Sequence, residues 1–265
     1  MTLDGRVAIV TGVTKPKGAG KAIAQRLVEQ GAAVAITGRA KSLPGAEAIA
    51  EGFRSDGHRA IAVAADSTDP DQIGAAVETV VAEFGGMDIL VNNAGIGFGS
   101  PILADNEDKH WDANWAVNVK GAVAFVVAAW PHLAARGGGS IVNIASLAGI
   151  GANSGMPYPY TASKFALVGI TKQMALEGGS AGIRANVVCP GAINTDMLQQ
   201  AYAAIAEAEG VSLEEAAALE NSTSPLGRPA EASEIADAVA WLAGPHSSYV
   251  TGVALPVAGG MSPGI

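Results

Sequence analysis

Val7-Ala8-Ile9-Val10-Thr11-Gly12-Val13-Thr14-Lys15-Pro16-Lys17-Gly18-Ala19-Gly20 is the stretch whose reading decides the fold. The apolar, β-branched run Val7 to Thr11 has strand character. It breaks into a glycine-rich turn and then into Lys21 to Gln30, where Ala24, Leu27 and Val28 share one helical stripe. Glycines at such a turn let the backbone approach a phosphate, and the following helix N-terminus presents free N–H groups with a partial positive charge. A glycine cluster alone is weak evidence, because any tight turn holds glycine. Its position directly between the first strand and the first helix raises its weight.

Outward from this unit the same alternation repeats. Further strands are expected at Ala33 to Thr37, Ala60 to Ala64, Ile89 to Asn92, Ser140 to Ala145, Arg184 to Cys189 and Val253 to Val257. Most are near-continuous apolar runs, as in strands buried on both faces of a parallel sheet. Asp69-Pro70 reads as an N-cap followed by proline in the first helical turn. Seven strands alternating with helices imply an α/β, doubly wound parallel sheet with right-handed crossovers. No Pro- or Ser-rich linker, repeat or low-complexity tract divides the chain, so residues 1–265 are expected to form one domain. Asp196 to Pro225 breaks the alternation and is rich in Ala and Glu. It reads either as a solvated helical pair or, the favoured reading, as a lid over the carboxyl ends of the strands.

Composition narrows the function classes. The net charge of −9 and the absence of any Lys/Arg run speak against nucleic acid as a partner, since phosphate backbones require a basic face. Met1 to Arg6 carries Asp4 and leads straight into the first strand, without the apolar core of a secretory signal. No uninterrupted apolar stretch approaches the roughly 18 to 20 residues of a membrane span. Cys189 is the sole cysteine, so no intrachain disulfide can form, and a cytoplasmic location is expected. His58, His110, His132 and His246 lack metal-ligand spacing, and no metal site is expected.

The second strand ends in Ile36-Thr37-Gly38-Arg39. A dinucleotide site specific for NAD usually places a carboxylate here for the ribose hydroxyls. No carboxylate occurs between Glu29 and Glu47, whereas Arg39 stands beside the expected position and Lys17 lies in the phosphate turn. Two cations and no acid suit a 2′-phosphate, so NADP(H) is favoured over NAD(H). The competing reading is that Arg39 only stacks on adenine. Asp66-Ser67 after the third strand suits either an adenine contact or a helix cap. Asn92-Asn93-Ala94-Gly95 suggests backbone satisfaction at a crowded strand end with room for a cofactor.

After the fifth strand comes Ser146, and fourteen residues later Tyr160-Thr161-Ala162-Ser163-Lys164. On a helix, Tyr160 and Lys164 lie one turn apart on one face. A nearby ammonium favours the phenolate and lowers a tyrosine pKa toward the range useful for general acid/base chemistry. In isolation this spacing is more often chance on an amphipathic helix. Tyr158, flanked by Pro157 and Pro159, has no lysine four residues later and reads as a pocket wall.

The glycine turn, Asn92-Asn93-Ala94-Gly95, Asn118, Ser146, Tyr160, Lys164 and Pro190-Gly191 stand in the order and spacing of the short-chain dehydrogenase/reductase family. The resemblance spans essentially the whole chain. Ser224-Pro225-Leu226-Gly227-Arg228-Pro229, Glu234-Ile235-Ala236 and Thr251-Gly252 resemble the branch of the 3-oxoacyl-[acyl-carrier-protein] reductases. It implies a single-domain Rossmann-type fold and a ketone/alcohol oxidoreductase. The catalytic set would be Asn118, Ser146, Tyr160 and Lys164. Tyr160 would be the proton donor and acceptor, and Lys164 would hold the nicotinamide ribose and depress the tyrosine pKa. Ser146 would bind the substrate oxygen, and Asn118 would place a water leading from Lys164 to solvent. Gly12, Lys17, Gly18, Gly20, Arg39, Asp66, Ser67, Asn93, Ala94, Gly95, Tyr160, Lys164, Pro190, Gly191, Ile193 and Thr195 would contact the cofactor.

The resemblance also implies a homotetramer, with a dimer as the alternative, in which the segment bearing Trp111, Trp115 and Trp130 and the Tyr160 helix meet partner subunits. Two departures stand out. Five residues separate Gly12 from the next glycine where the family usually has three, and Pro16 among them has no N–H for a phosphate. Val257-Ala258-Gly259-Gly260 lacks the Asp that often precedes the final glycine pair. Competing functions are an NAD(H)-dependent alcohol dehydrogenase and a catalytically silent nucleotide-binding protein. The presence of all four catalytic positions speaks against the latter.

Overall fold

The computed structural model describes residues 3–152 and 155–261. Met1 and Thr2, the start of the N-terminal segment considered above, lie outside the described residues. The elements run β1 (Val7–Val10), α1 (Ala19–Glu29), β2 (Ala33–Gly38), α2 (Leu43–Ser55), β3 (Ala60–Ala64), α3 (Pro70–Phe84), β4 (Ile89–Asn92) and α4 (Asp108–Asn114). After a π-helical segment, Trp115–Gly121, come α5 (Ala122–Ala135), β5 (Gly139–Ile144), α6 (Tyr158–Gly178), β6 (Ile183–Pro190), α7 (Asp196–Glu209), α8 (Leu213–Ser222), α9 (Ala232–Ala243) and β7 (Ala254–Val257).

The strands form one seven-stranded parallel sheet in the order β3-β2-β1-β4-β5-β6-β7, the doubly wound arrangement expected from the alternation. Period-2 side-chain alternation sorts each strand between two cores. Ala8 and Val10 face α1, α2 and α9, while Val7 and Ile9 face α3, α5 and the far end of α6. Every residue of β1, β2 and β4 is buried, which is why these strands read as unbroken apolar runs. Pro256, which has no N–H, sits in the edge strand β7, where a missing ladder donor costs least.

Local signals set the helix ends. Asp69 caps α3 by accepting from the Asp71 and Gln72 amides, with Pro70 in the first turn. Ser212 and Glu215 form a reciprocal capping box at α8. The segment Asp196 to Pro225 is largely a pair of packed helices, α7 and α8, with Glu207, Glu209, Glu214 and Glu215 exposed and Leu198, Tyr202 and Ala216 buried. It leaves the carboxyl end of β6. The helical run Asp108–Ala135 has the length and composition of a membrane span. Its Phe125, Val126, Ala129 and Leu133 are nevertheless buried in the core against the sheet.

Candidate active site

The sheet reverses direction of growth between β1 and β4, and a crevice opens at such a point beyond the carboxyl ends of the strands. Thr11 stitches the two strand ends together there. Its amide donates to Val91 O (3.0 Å), and its hydroxyl accepts from the Asn93 and Ala94 amides (both 3.0 Å). Asn93 Nδ2 returns a bond to Thr11 O at 2.8 Å. Gly12 follows with φ +70°, and a Cβ there would lie 2.7 Å from Ala94 Cα, so glycine alone leaves this cradle open. A Cβ at Gly20 would sit 2.5 Å from Asn93 Nδ2, so the third glycine sets how closely α1 approaches β4.

The two extra residues of the turn are accommodated by glycines elsewhere. A Cβ at Gly38 would meet Thr14 Cγ2 at 2.6 Å, and one at Gly45 would meet Thr14 O at 2.7 Å. The longer turn therefore lies down on β2 and α2, and the Gly18 amide closes it onto Lys15 O at 3.3 Å. Gly18 is the N-cap of α1, no side chain caps that terminus, and its first turn carries no acid. Lys17 and Arg39 are exposed at this corner. An uncapped helix N-terminus, an open glycine cradle and two exposed cations fit a dinucleotide with a phosphate on its adenosine ribose. Asp66 accepts from the Thr68 amide and hydroxyl, which hold its carboxyl below the usual range; Arg39 contributes in the same direction. The cap of α3 is Asp69.

The reacting end lies across the crevice. Ser146 leaves β5 in an extended conformation, and its hydroxyl accepts from the Ala148 amide at 3.1 Å. Tyr160 and Lys164 share a face of α6, with the ammonium 5.6 Å from the ring centroid. Lys164 is buried, and its Nζ donates to Ile144 O at 2.8 Å. Burial draws its pKa down to about 8, against a small upward push from Cys189. Burial also pushes the Tyr160 hydroxyl up, partly offset by a hydrogen bond with Ser146, with Cys189 adding to the rise. The expected depression by Lys164 is therefore not expressed in the free protein. Desolvation dominates its shift, and Tyr160 rests protonated, the form that can give a proton away. Cys189 is buried with its thiol raised to about 11, chiefly by desolvation, consistent with a structural thiol.

Asn118 lies in the π-helical segment, fully buried. Its Oδ1 accepts from the Ile96 amide at 2.8 Å, and its Nδ2 donates to Ile96 O (2.8 Å) and Ser163 Oγ (2.9 Å). These partners commit the side-chain hydrogens to the protein. The side chain of Asn118 thereby fixes the chain running past Gly95. A Cβ at Gly95 would come 3.3 Å from Lys164 Nζ and 3.4 Å from Asn118 Oδ1, so glycine lets the chain pass between them.

The structure gathers the sequence-derived positions along one edge of the sheet. Gly12, Lys17, Gly18, Gly20 and Arg39 follow β1 and β2, and Asp66 and Ser67 follow β3. Asn93, Ala94 and Gly95 follow β4, Ser146 follows β5, and Gly191, Ile193 and Thr195 follow Pro190 at the end of β6. Ile193 bridges to Ala230, and Thr195 is the N-cap of α7. Several supports carried no sequence signal. Thr11 joins the two strand ends, Ser163 and Asn114 brace Asn118, and a buried ladder runs from Asn92 Nδ2 to Asn143 Oδ1 (2.9 Å) and from Asn143 Nδ2 to Thr171 Oγ1 (2.7 Å). At the C-terminal glycine pair, Gly259 O accepts from Ser224 Oγ (3.0 Å) and the Leu226 amide (3.1 Å), so this corner is closed without the customary Asp. The histidines are dispersed: His110 Nδ1 accepts from the Glu107 amide and His132 meets Glu78. Among the described residues no His/Cys/Asp/Glu group has the arrangement of a metal site.

A parallel α/β sheet with a phosphate cradle facing a Ser–Tyr–Lys cluster defines a nucleotide-dependent oxidoreductase site. A family model described as enoyl-(acyl carrier protein) reductase matches residues 12–262. The 3-oxoacyl-[acyl-carrier-protein] reductase of Vibrio cholerae is 38% identical over 98% of this chain and 99% of its own length. The cis-4-hydroxycyclohexanecarboxylate dehydrogenase of Sinomonas cyclohexanicum is 36% identical over 96% of both. Among solved structures, a variant of actinorhodin polyketide ketoreductase with NADPH superposes with a TM-score of 0.90 at 36% identity, covering 97% of each chain. A blue fluorescent protein from a metagenomic library, in complex with NADPH, gives 0.85 at 36% identity over 99% of this chain and all of that one. The chain belongs to the short-chain dehydrogenase/reductase family.

Proposed function

We propose that this protein interconverts a ketone and a secondary alcohol with NADP(H), residues 1–265 forming one catalytic domain. The observation that carries this reading is the placing of Ser146, Tyr160 and buried Lys164 at the same sheet edge as the Gly12 cradle. The bound nicotinamide supplies the hydride for the carbonyl carbon, or accepts it in the reverse direction. In reduction, Tyr160 gives its proton to the carbonyl oxygen as the oxygen gains charge; in oxidation it takes that proton back. The Ser146 hydroxyl donates a hydrogen bond to the same oxygen and stabilises its developing charge. Lys164 holds the ribose hydroxyls and its charge favours the phenolate left after proton transfer. Asn118 acts as a positioning residue for the Gly95–Ile96 backbone.

NADP(H) is favoured over NAD(H) by exposed Lys17 and Arg39 at the ribose corner and by the NADPH bound in both structural relatives. The helical pair at 196–225 is assigned as a substrate lid. A homotetramer is supported by exposed Trp111, Trp115 and Val127 together with Phe165 and Leu176 of α6. A dimer is the alternative, and sedimentation of the purified protein distinguishes them. A cytoplasmic location accords with the single buried thiol.

Tyr160→Phe tests the central reading. The variant should bind NADPH as the native protein does, measured by fluorescence titration, while carbonyl turnover falls by roughly 10²- to 10⁴-fold. Undiminished turnover would refute the assignment. A native protein that binds NADPH yet reduces no carbonyl would establish the catalytically silent alternative.

A further inference from the structure

We propose that the site takes a ketone whose non-reacting skeleton is apolar and carries no negative charge. The inference rests on the ketone reductase reading above and narrows its substrate class. The first observation is an apolar collar beside the reacting tyrosine. A Cβ at Gly97 would lie 3.5 Å from Tyr160 Cδ2, so the chain runs across the edge of that ring. The residues that follow expose large apolar surface: Phe98 is 49% exposed, Ile102 60% and Leu103 59%. Met156 and Tyr158, at the start of the Tyr160 helix, add 39% and 46%.

This collar is built, not loose. The Tyr158 amide donates to Ser100 O at 3.2 Å, which ties the loop to α6. Asn106 Oδ1 accepts from the Ser100 amide at 2.9 Å, and its Nδ2 donates to Ser100 O (3.0 Å) and Ile102 O (2.8 Å). Phe98 packs edge-on against His110 at 5.0 Å. Five large apolar side chains, on the loop that passes Tyr160 and at the start of its helix, are thereby exposed to solvent, an arrangement that gains most when an apolar ligand covers it.

The second observation is the distribution of charge. The segments after β4, β5 and β6, residues 95–120, 146–164 and 190–228, contain ten carboxylates and four cations, Lys109, Lys120, Lys164 and Arg228. Lys109 is paired with Glu107 at 2.9 Å, Arg228 with Glu234 at 2.7 Å, and Lys164 is buried with its ammonium on Ile144 O. Residues 12–45 around the nucleotide cradle show the reverse: Lys15, Lys17, Lys21, Arg26, Arg39 and Lys41 against Glu29 alone. Cations are densest at the cofactor corner, whereas carboxylates outnumber cations after β4, β5 and β6. A substrate bearing a carboxylate, or a thioester arm bearing a phosphodiester, would approach through an excess of like charge.

The test uses matched pairs of ketones with native enzyme and NADPH, for example 2-octanone with 7-oxooctanoate, and 4-methylcyclohexanone with 4-oxocyclohexanecarboxylate. At low ionic strength kcat/KM for the neutral member should exceed that of the anion by about tenfold or more, and the gap should narrow as salt screens the lid. Leu103→Lys, on an exposed loop position, should raise kcat/KM for the anion relative to its neutral partner. Equal or better turnover of the anion by the native enzyme overturns the inference and leaves ketone reduction standing. So does a Leu103→Lys enzyme whose ratio is unchanged. Absence of turnover on every neutral and charged member removes both the inference and the reading beneath it.

Discussion

Replacement of Lys164 by methionine should make the cofactor-free protein more stable while removing its activity. Lys164 is 4% exposed, and its ammonium meets a backbone carbonyl, Ile144 O, with no carboxylate hydrogen-bonded to it among the described residues. Desolvation lowers its pKa from 10.5 to about 8. A displacement of that size makes the charged form about 3 kcal/mol less favourable in the fold than in the unfolded chain. Methionine fills similar space without charge. It forfeits the bond to Ile144 O, at a cost of about 1 kcal/mol. The net gain at pH 7 is about 2 kcal/mol, or a rise in Tm of roughly 4–8 °C for a chain of this size. The sign follows from proton binding. The folded lysine deprotonates first, so native stability climbs between pH 8 and about 10.5, and the advantage of the variant should fade across that window. Urea and thermal unfolding of both proteins at pH 7 and pH 10, without cofactor, measure this. A variant less stable than the native protein at pH 7, or a difference that is the same at both pH values, would refute the reasoning.

Two further outcomes are expected. Arg39→Asp should weaken NADPH roughly 10- to 100-fold, the loss of about 1.5–3 kcal/mol for a charge-assisted bond, while NADH binding changes little. Titration with both cofactors checks it, and an unchanged preference would show that Arg39 does not read the 2′-phosphate. Asp88, at the opposite edge of the sheet, accepts from Arg6 Nη1 (2.8 Å), the Val7 amide (2.9 Å) and Arg136 Nε (3.2 Å). In Asp88→Asn the amide NH₂ must confront a donor on one side, so Tm should fall by roughly 4–10 °C, from a loss of about 2–3 kcal/mol, with kcat/KM at 25 °C unchanged. Burial raises the Asp88 pKa, but Arg136, Arg6 and the Val7 amide together hold it below the ordinary carboxylate value. Its contribution is therefore complete above the ordinary range and is lost as the pH falls through its lowered pKa, so acid unfolding should flatten in the variant.

Several features were legible because they depend on local chemistry. The strands at 60–64 and 89–92 have the expected bounds, and the others shift by one residue at one or both ends, since an apolar run marks burial and not the last ladder hydrogen bond. Asp69-Pro70 capped α3 as its residue types require. The lengthened glycine turn was seen as an anomaly, but its accommodation was invisible, because Gly38 and Gly45 lie far along the chain from Thr14 and share no local pattern with it. The Asn92–Asn143–Thr171 ladder was likewise unreadable: it joins β4, β5 and α6, and a buried amide looks like any other amide in sequence.

Tyr160 and Lys164 mark the boundary between the two kinds of knowledge. Their one-turn spacing on α6 follows from helical geometry, and with the glycine turn and Ser146 it pointed to the family and the sheet. Spacing cannot report desolvation. Only the packed structure shows Lys164 sealed beneath the crevice, its pKa drawn to about 8, and Tyr160 raised instead of lowered. The sequence alone determined which groups meet; the tertiary environment, which sets how much water each one loses, decided their resting protonation.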